Sequence, residues 1–315
     1  MTGQPRYRCQ SEPQPSRYGA VTEVWLPEPA GPVVDCASGS GPCAQPFDDY
    51  LGLVDQSQAG SGPPALLRPP RDTQELARYR WLVGHQSTFV VWRLLTDAMA
   101  SALDHPDQAA SACHEAGELF GVYSVLLLYS GSCPPGVYHD SLRPEMMSCH
   151  PAFSGEWAPD HRPVLSLLHR VRRECPTGAA RELMSAFKAN QRVHMAVARA
   201  LVPDGESLLR KADRRPGQRP SAEEHRMYDR FFRVRRRPVC HRTLRAQLVR
   251  RVGQACVDLA THGLYYGGPA VSASAEDSAQ LVRRVEEQAG TDLAELAERV
   301  VRHADRQPVA ASRRG

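Results

Sequence analysis

Apolar residues follow helical periods over most of the chain beyond residue 72. Trp81, His85, Phe89 and Trp92 recur at intervals of four, four and three residues, which places them on one face of a helix. Asp72 or Thr73 is a suitable N-cap for this helix, which we expect to run to about Leu103. Similar patterns predict further helices over 108–129, 164–174, 179–202, 221–235, 241–262 and 275–304. The predicted fold class is therefore all-α, a helical bundle.

Two segments depart from this pattern. Residues 1–70 hold 12 of the 26 prolines, and we expect an irregular N-terminal arm there, with one small hairpin at the alternating stretch Ala20 to Leu26. Residues 71–315 are then a single helical domain. Residues 130–163 form a second predicted irregular segment, and its aromatic side chains, such as Tyr138 and Trp157, argue against disorder. Long loops inside a domain are usually functional when they are ordered.

Composition narrows the class of protein. Hydrophobic residues make up 42% and charged residues 23% of the 315 residues, which is typical of a soluble globular protein. No apolar run approaches the roughly 18 residues of a membrane span, and the first ten residues lack a signal-peptide core. We therefore expect a cytoplasmic protein that does not contact the membrane. Nine cysteines at irregular spacings predict free thiols, and Cys149, His150 and His161 are an incomplete ligand set for structural zinc.

The distribution of charge says less about the binding partners of the protein. The net charge is +4, and a basic run includes Arg233, Arg235, Arg236 and Arg237. The run lacks a helix-turn-helix or an aromatic platform, so we expect no nucleic-acid partner. A solvated basic face is the simpler interpretation, and a partner for a heme propionate is the other.

His85 and His194 are the main candidates for chemistry, because each lies among apolar residues on a long predicted helix. Taken alone, each fits a hydrogen-bonded core histidine. Facing each other across a bundle, they fit a heme site, in which one neutral imidazole ligates the iron and the other lies over its open face. The spacing of the residues leaves this choice open.

Two motifs resemble the heme-dependent aromatic oxygenase superfamily of tryptophan 2,3-dioxygenase. The segment Arg80-Trp-Leu-Val-Gly-His85-Gln86 is similar to the distal-histidine helix of that family, and Arg192-Val-His194-Met-Ala-Val-Ala-Arg199 is similar to its proximal helix. Within the superfamily, the stretches Tyr138-His-Asp-Ser-Leu-Arg143 and Cys149-His-Pro-Ala-Phe resemble the heme-dependent L-tyrosine hydroxylases. The resemblance implies a tryptophan 2,3-dioxygenase-like bundle.

The same resemblance implies an activity. It points to an L-tyrosine 3-hydroxylase that uses hydrogen peroxide and one heme per chain to form 3,4-dihydroxyphenylalanine for antibiotic biosynthesis. Ala198 stands where a covalent branch of the superfamily has cysteine, so non-covalent heme b is expected. We also expect a homodimer. The alternatives are a heme dioxygenase acting on tryptophan or another indole, and a heme-binding sensor or nucleic-acid-binding regulator.

Residue roles follow from the resemblance. His194 would be the axial iron ligand, with Arg199 beside the cofactor, and His85 would be the catalytic acid–base group. Trp81 and Phe89 would line the pocket of the substrate ring, although core packing is the safer interpretation for Phe89. Arg143 would bind the substrate carboxylate, since a guanidinium matches a carboxylate in a bidentate manner. Its alternative is to brace the loop by pairing with Glu145.

Overall fold

The computed structural model describes residues 23–29, 31, 33, 68–175, 177–202, 208, 219–265 and 276–306. Most of the predicted arm lies outside the described residues. The long helices are α1 (Thr73–Asp104), α2 (Ala109–Ser130), α5 (His161–Glu174), α6 (Thr177–Leu201), α8 (His241–His262) and α9 (Glu276–Arg306). The short ones are α3 (Pro135–Val137), α4 (Arg143–Cys149) and α7 (Ala222–Phe231). The molecule is mostly helical, as the periodicity predicts, and each long helix matches its predicted bounds within about three residues.

Helix α1 is the centre of the bundle. Its N-cap is Asp72, whose carboxylate accepts hydrogen bonds from the backbone N–H groups of Gln74 and Glu75, both at 3.0 Å. The helix packs against α2, α5 and α8, while α2 also packs against α6. Gly84 allows α1 and α2 to approach closely, because a Cβ atom at this position would lie 2.1 Å from Ser130 Oγ. Gly84, the residue before His85, is thereby held in close contact with α2.

The segment between α2 and α5 is not the irregular loop that its composition predicts. It contains α3, a single π-helical turn at Tyr138–Leu142, α4 and a 3₁₀ turn at Gly155–Trp157. Prolines at the first turns of α3 and α4 are compatible with helix, since the N–H group missing from proline would have no intrahelical partner there. Helices of three and seven residues are too short for a helical period to be recognised in the sequence. π turns are frequent at functional sites.

The extended stretch predicted at Ala20 to Leu26 is a strand over its described part, although the partner of that strand is not an adjacent strand of a hairpin. Strand β1 (Val24–Leu26) pairs in parallel with β2 (Val234–Arg236), a strand that the sequence placed inside a helix. Helix α7 ends at Phe231, and Arg233 adopts a positive φ of 55° that turns the chain into β2. Val24 and Leu26 are fully buried, so this part of the arm packs on the helical body.

The basic run helps to secure that pairing, and it is in part the solvated face that we expected, because Arg235 and Arg237 are exposed whereas Arg236 is largely buried. Arg236 forms ion pairs with Asp160 at 2.7 Å and with Asp229 at 2.8 Å. Arg235 pairs with Glu23 at 2.8 Å, and the Arg237 guanidinium lies 4.5 Å from the centre of the Trp25 ring. These arginines therefore connect the arm, α5 and α7.

Two absences hold for the part of the chain that the structure covers. No helix there is long and apolar enough to cross a membrane. None of its cysteines forms a disulfide.

Candidate active site

Histidines from three helices define the site. His85 lies in the middle of α1, His161 is the first residue of α5, and His194 lies in the last third of α6. Burial is the main cause that lowers the pKa of each of them, to about 4 for His85 and for His161. Electrostatic repulsion from His194 lowers the pKa of the other two further, which shows that both lie within its electrostatic reach. The lowered pKa values favour the uncharged form of all three imidazoles at neutral pH.

The tautomer of His85 is fixed by its own helix. Its Nδ1 lies 2.6 Å from the backbone carbonyl oxygen of Trp81, and because a carbonyl only accepts, Nδ1 must carry the proton and donate. In the neutral ring the lone pair is then on Nε2. His85 can therefore accept a proton at Nε2 or bind a metal through it.

Aromatic rings enclose the imidazole of His85. The ring of Phe232 stacks on it with centroids 4.5 Å apart and an angle of 19° between the planes. Trp81 lies 4.4 Å away on the same helix, and Phe89 lies 6.2 Å away, edge-on. Phe89 is fully buried against further rings, those of Trp92, Tyr228 and Phe232. This burial favours core packing as the role of Phe89.

His194 differs from His85 in its exposure. The buried residues Leu183, Asn190 and Leu201 share one face of α6, as the sequence predicts. At about 100° per residue His194 lies on the same face, but its side chain is exposed there. An uncharged, accessible imidazole is the form that ligates heme iron.

Arg199 does not share the face of His194. It lies five residues further along α6, which at about 100° per residue rotates it by roughly 140° around the helix axis. Its side chain is exposed in the last turn of α6.

Arg143 reaches the site through Tyr138. Burial raises the pKa of Tyr138, and the positive charge of Arg143 acts in the opposite direction, which places the guanidinium near the phenol. The Tyr138 ring lies 5.9 Å from the ring of Trp81. Arg143 is itself buried, with 8% of its surface exposed. The π turn and α4 thus present Tyr138 and Arg143 on the Trp81 side of His85.

Two polar groups near His85 concern substrate binding and the attachment of the segment after α2 to the rest of the fold. The indole N–H of Trp81 is buried and has no hydrogen-bond partner among the groups that the structure describes. Glu145, the proposed loop-bracing partner of Arg143, forms an ion pair with Arg78 of α1. The loop is therefore joined to α1 through Arg78, and a buried N–H donor remains beside His85.

The sequence interpretation missed His161 and Phe232. It considered His161 only as a distant member of a metal cluster with Cys149 and His150, and no group of three such ligands that could hold a metal ion occurs in the described ranges. His161 instead lies 4.8 Å from Trp92, between ring centroids. Phe232 lies in a predicted helix with no periodic signal of its own. A pattern search along one helix cannot detect residues that meet from distant segments.

Comparison with known proteins adds the chemical class. Residues 32–185 match the model of a family described as SfmD 3-methyl-L-tyrosine peroxygenase. The matched range contains Trp81, His85, Arg143 and His161 and ends within α6, before His194. No curated protein matches the chain. The protein is an enzyme, a peroxide-driven oxidoreductase.

Proposed function

We propose that the enzyme hydroxylates the ring of L-tyrosine, or of a close derivative of it, with hydrogen peroxide as oxidant and heme b as cofactor. The observation that carries the proposal is that His85, enclosed by aromatic rings, and His194, on a separate helix, are both uncharged imidazoles and that His194 acts on the pKa of His85. In the overall reaction a ring C–H becomes C–OH, peroxide supplies the oxygen atom, and water is the second product.

The donor set fits heme. His194 would hold the iron, because its imidazole is neutral and accessible on α6. A neutral imidazole is the form that ligates iron. Heme supplies the iron that activates peroxide for oxygen transfer. Ala198 follows His194 by one helical turn and offers no thiol, so a thioether bond to heme would not form at this position.

His85 moves protons. Its Nε2 lone pair is oriented by the hydrogen bond from Nδ1 to the Trp81 carbonyl, and the stacked ring of Phe232 restrains its plane. Such a group can take a proton from peroxide or from the substrate phenol and return it later. Its low pKa keeps it in the accepting form at neutral pH.

The substrate side lies toward the π turn. A tyrosine carboxylate that leaves water needs a cation, and buried Arg143 is the candidate. Trp81 offers the face of its indole ring and an N–H donor without a partner in the described structure, so it can both contact the ring and donate to a polar atom of the substrate.

The proposal allows two substrates, which differ only in a methyl substituent on the ring. The sequence resemblance favours L-tyrosine as substrate, whereas the description of the matched family names 3-methyl-L-tyrosine. Both share the phenol, the carboxylate and the ammonium group, so the same residues would bind either. Their relative kcat/KM values give the preference.

Mass spectrometry with labelled oxidant tests the proposal. The purified protein is incubated with L-tyrosine, 3-methyl-L-tyrosine or L-tryptophan and with hydrogen peroxide labelled with oxygen-18. We expect one labelled oxygen atom in the product of at least one phenol and none in tryptophan. A tryptophan product that forms only with molecular oxygen and a reductant, and that carries no label from peroxide, would support the indole dioxygenase alternative. No transfer of label to either phenol would refute the proposed function.

A further inference from the structure

Gln86 follows His85 on α1, yet its side chain points to a different part of the fold. Its amide nitrogen donates to the backbone carbonyl of Phe232 at 2.9 Å, and only 1% of the residue is exposed. Phe232 is the residue whose ring stacks on His85. Adjacent residues of α1 therefore contact the same residue, His85 through its ring and Gln86 through its backbone.

Arg251 on α8 fixes the orientation of that amide. Its Nε donates to the Gln86 carbonyl oxygen at 2.8 Å, so the amide nitrogen must face Phe232. Arg251 also donates to the backbone carbonyls of Gln247 and Glu23, both at 3.0 Å, and is 2% exposed. Removing the amide would leave a buried guanidinium nitrogen and a buried carbonyl without these partners, and unsatisfied buried polar groups are costly.

Phe232 needs such a support. It caps the C-terminus of α7 and is followed by Arg233 with its φ of 55°, so the chain reverses directly after it. On the far side of the turn, the Val24 N–H of β1 donates to the Arg233 carbonyl at 3.0 Å. The turn is thus held from the arm by Val24 and from the body by Gln86.

We propose that Gln86 is a positioning residue, which holds Phe232 against the imidazole of His85 and so keeps His85 in its reactive orientation. The inference rests on the proposed function only in assigning proton transfer to His85. The geometric part, in which Gln86 sets Phe232 and Phe232 restrains His85, stands independently of the reaction. Gln86 itself contacts neither the substrate nor the reacting atoms, and acts only through Phe232.

Three substitutions separate positioning from stability. Gln86→Met removes both hydrogen bonds at similar volume. Gln86→Glu keeps an acceptor for Arg251 but cannot donate to the Phe232 carbonyl while it is ionised against the guanidinium. Phe232→Leu removes the stacked ring and leaves the backbone carbonyl. If Gln86 only stabilises the fold, both Gln86 variants should lower the midpoint of unfolding without exposing His85, whereas a positioning role predicts that both variants also expose His85.

The first readout is the acylation of histidine by diethyl pyrocarbonate, followed by mass spectrometry on the purified holoprotein. His114, which is exposed on α2, is the internal reference, and heme content is measured on the same samples. All three variants should raise the ratio of His85 to His114 modification severalfold at equal heme content. Because Gln86 acts through Phe232, Gln86→Met combined with Phe232→Leu should raise it no further than Phe232→Leu alone.

The second readout is turnover. We expect kcat to fall about tenfold or more in each variant with little change in KM, since binding contacts remain. An unchanged His85 ratio in Gln86→Glu and Gln86→Met, with a raised ratio in Phe232→Leu, would overturn the inference. Additive effects in the double variant would also overturn it. Absence of any hydroxylation in the normal protein would refute the proposed function instead, and the acylation ratios would still decide the positioning role.

Discussion

At the scale of single residues, the site depends on pairs that the sequence could indicate only in part. His85, Trp81 and Phe89 lie on one predicted helical face, and the structure confirms that they share a region, because all three follow a single period. Phe232 and His161 come from other helices, so no local period links them to His85. Residues that meet through tertiary structure leave no signal in a single sequence.

Arg143 gives a direct test at this scale. Arg143→Met removes the charge with similar length, and we expect kcat/KM for the tyrosine substrate to fall by about 2 to 3 kcal/mol, as for loss of a charge-assisted hydrogen bond. Steady-state kinetics with tyramine, which lacks the carboxylate, should show little effect of the same change. Arg162→Met, at an exposed arginine of α5, is the matched control. Equal losses with tyrosine and tyramine would instead assign Arg143 to bracing the π turn.

At the scale of elements, helix bounds were predictable because caps and breakers act locally. Asp72 starts α1, and Gly263, with a φ of 65°, ends α8 where the sequence predicts. The short helices after α2 and the parallel pairing of β1 with β2 were not predictable. The former depend on prolines that are tolerated in first turns, and the latter joins segments more than 200 residues apart, Val24 with Val234.

The buried ion pair between α1 and α8 tests how elements are held around the site. Arg80 Nε donates to the Asp258 carboxylate at 2.7 Å, with almost no exposed surface on either side chain. Asp258→Asn should lower the free energy of unfolding by about 3 to 5 kcal/mol, because it leaves a buried guanidinium without its anion. Urea denaturation measures this change. Glu174→Gln, in the exposed pair with Arg170, is the control and should leave the midpoint unchanged. Similar midpoints for both variants would show that the buried pair contributes little.

At the scale of the whole molecule, the site lies where α1, α5 and α6 meet, with the turn after α7 closing it. Trp81, His85, Arg143 and His161 fall inside the segment that matches the peroxygenase family, whereas Phe232 and the proposed iron ligand His194 lie beyond it. The proposed role of His194 therefore depends on the sequence resemblance and on its electrostatic effect on the pKa of His85 and of His161. If His194 ligates the iron and His85 only transfers protons, loss of His194 should release heme and loss of His85 should leave heme bound.

Heme content and visible spectra of matched histidine variants measure this most directly. The normal protein should carry one heme per chain, which acid–acetone releases intact. His194→Ala should lose most of its heme or its normal spectrum. His85→Ala should keep its heme, with turnover lowered by roughly 10²- to 10⁴-fold, the usual effect of a positioned proton-transfer group. His114→Ala, at an exposed histidine, should resemble the normal protein. Full heme content with an unchanged spectrum in His194→Ala, together with heme loss in His85→Ala, would contradict the account.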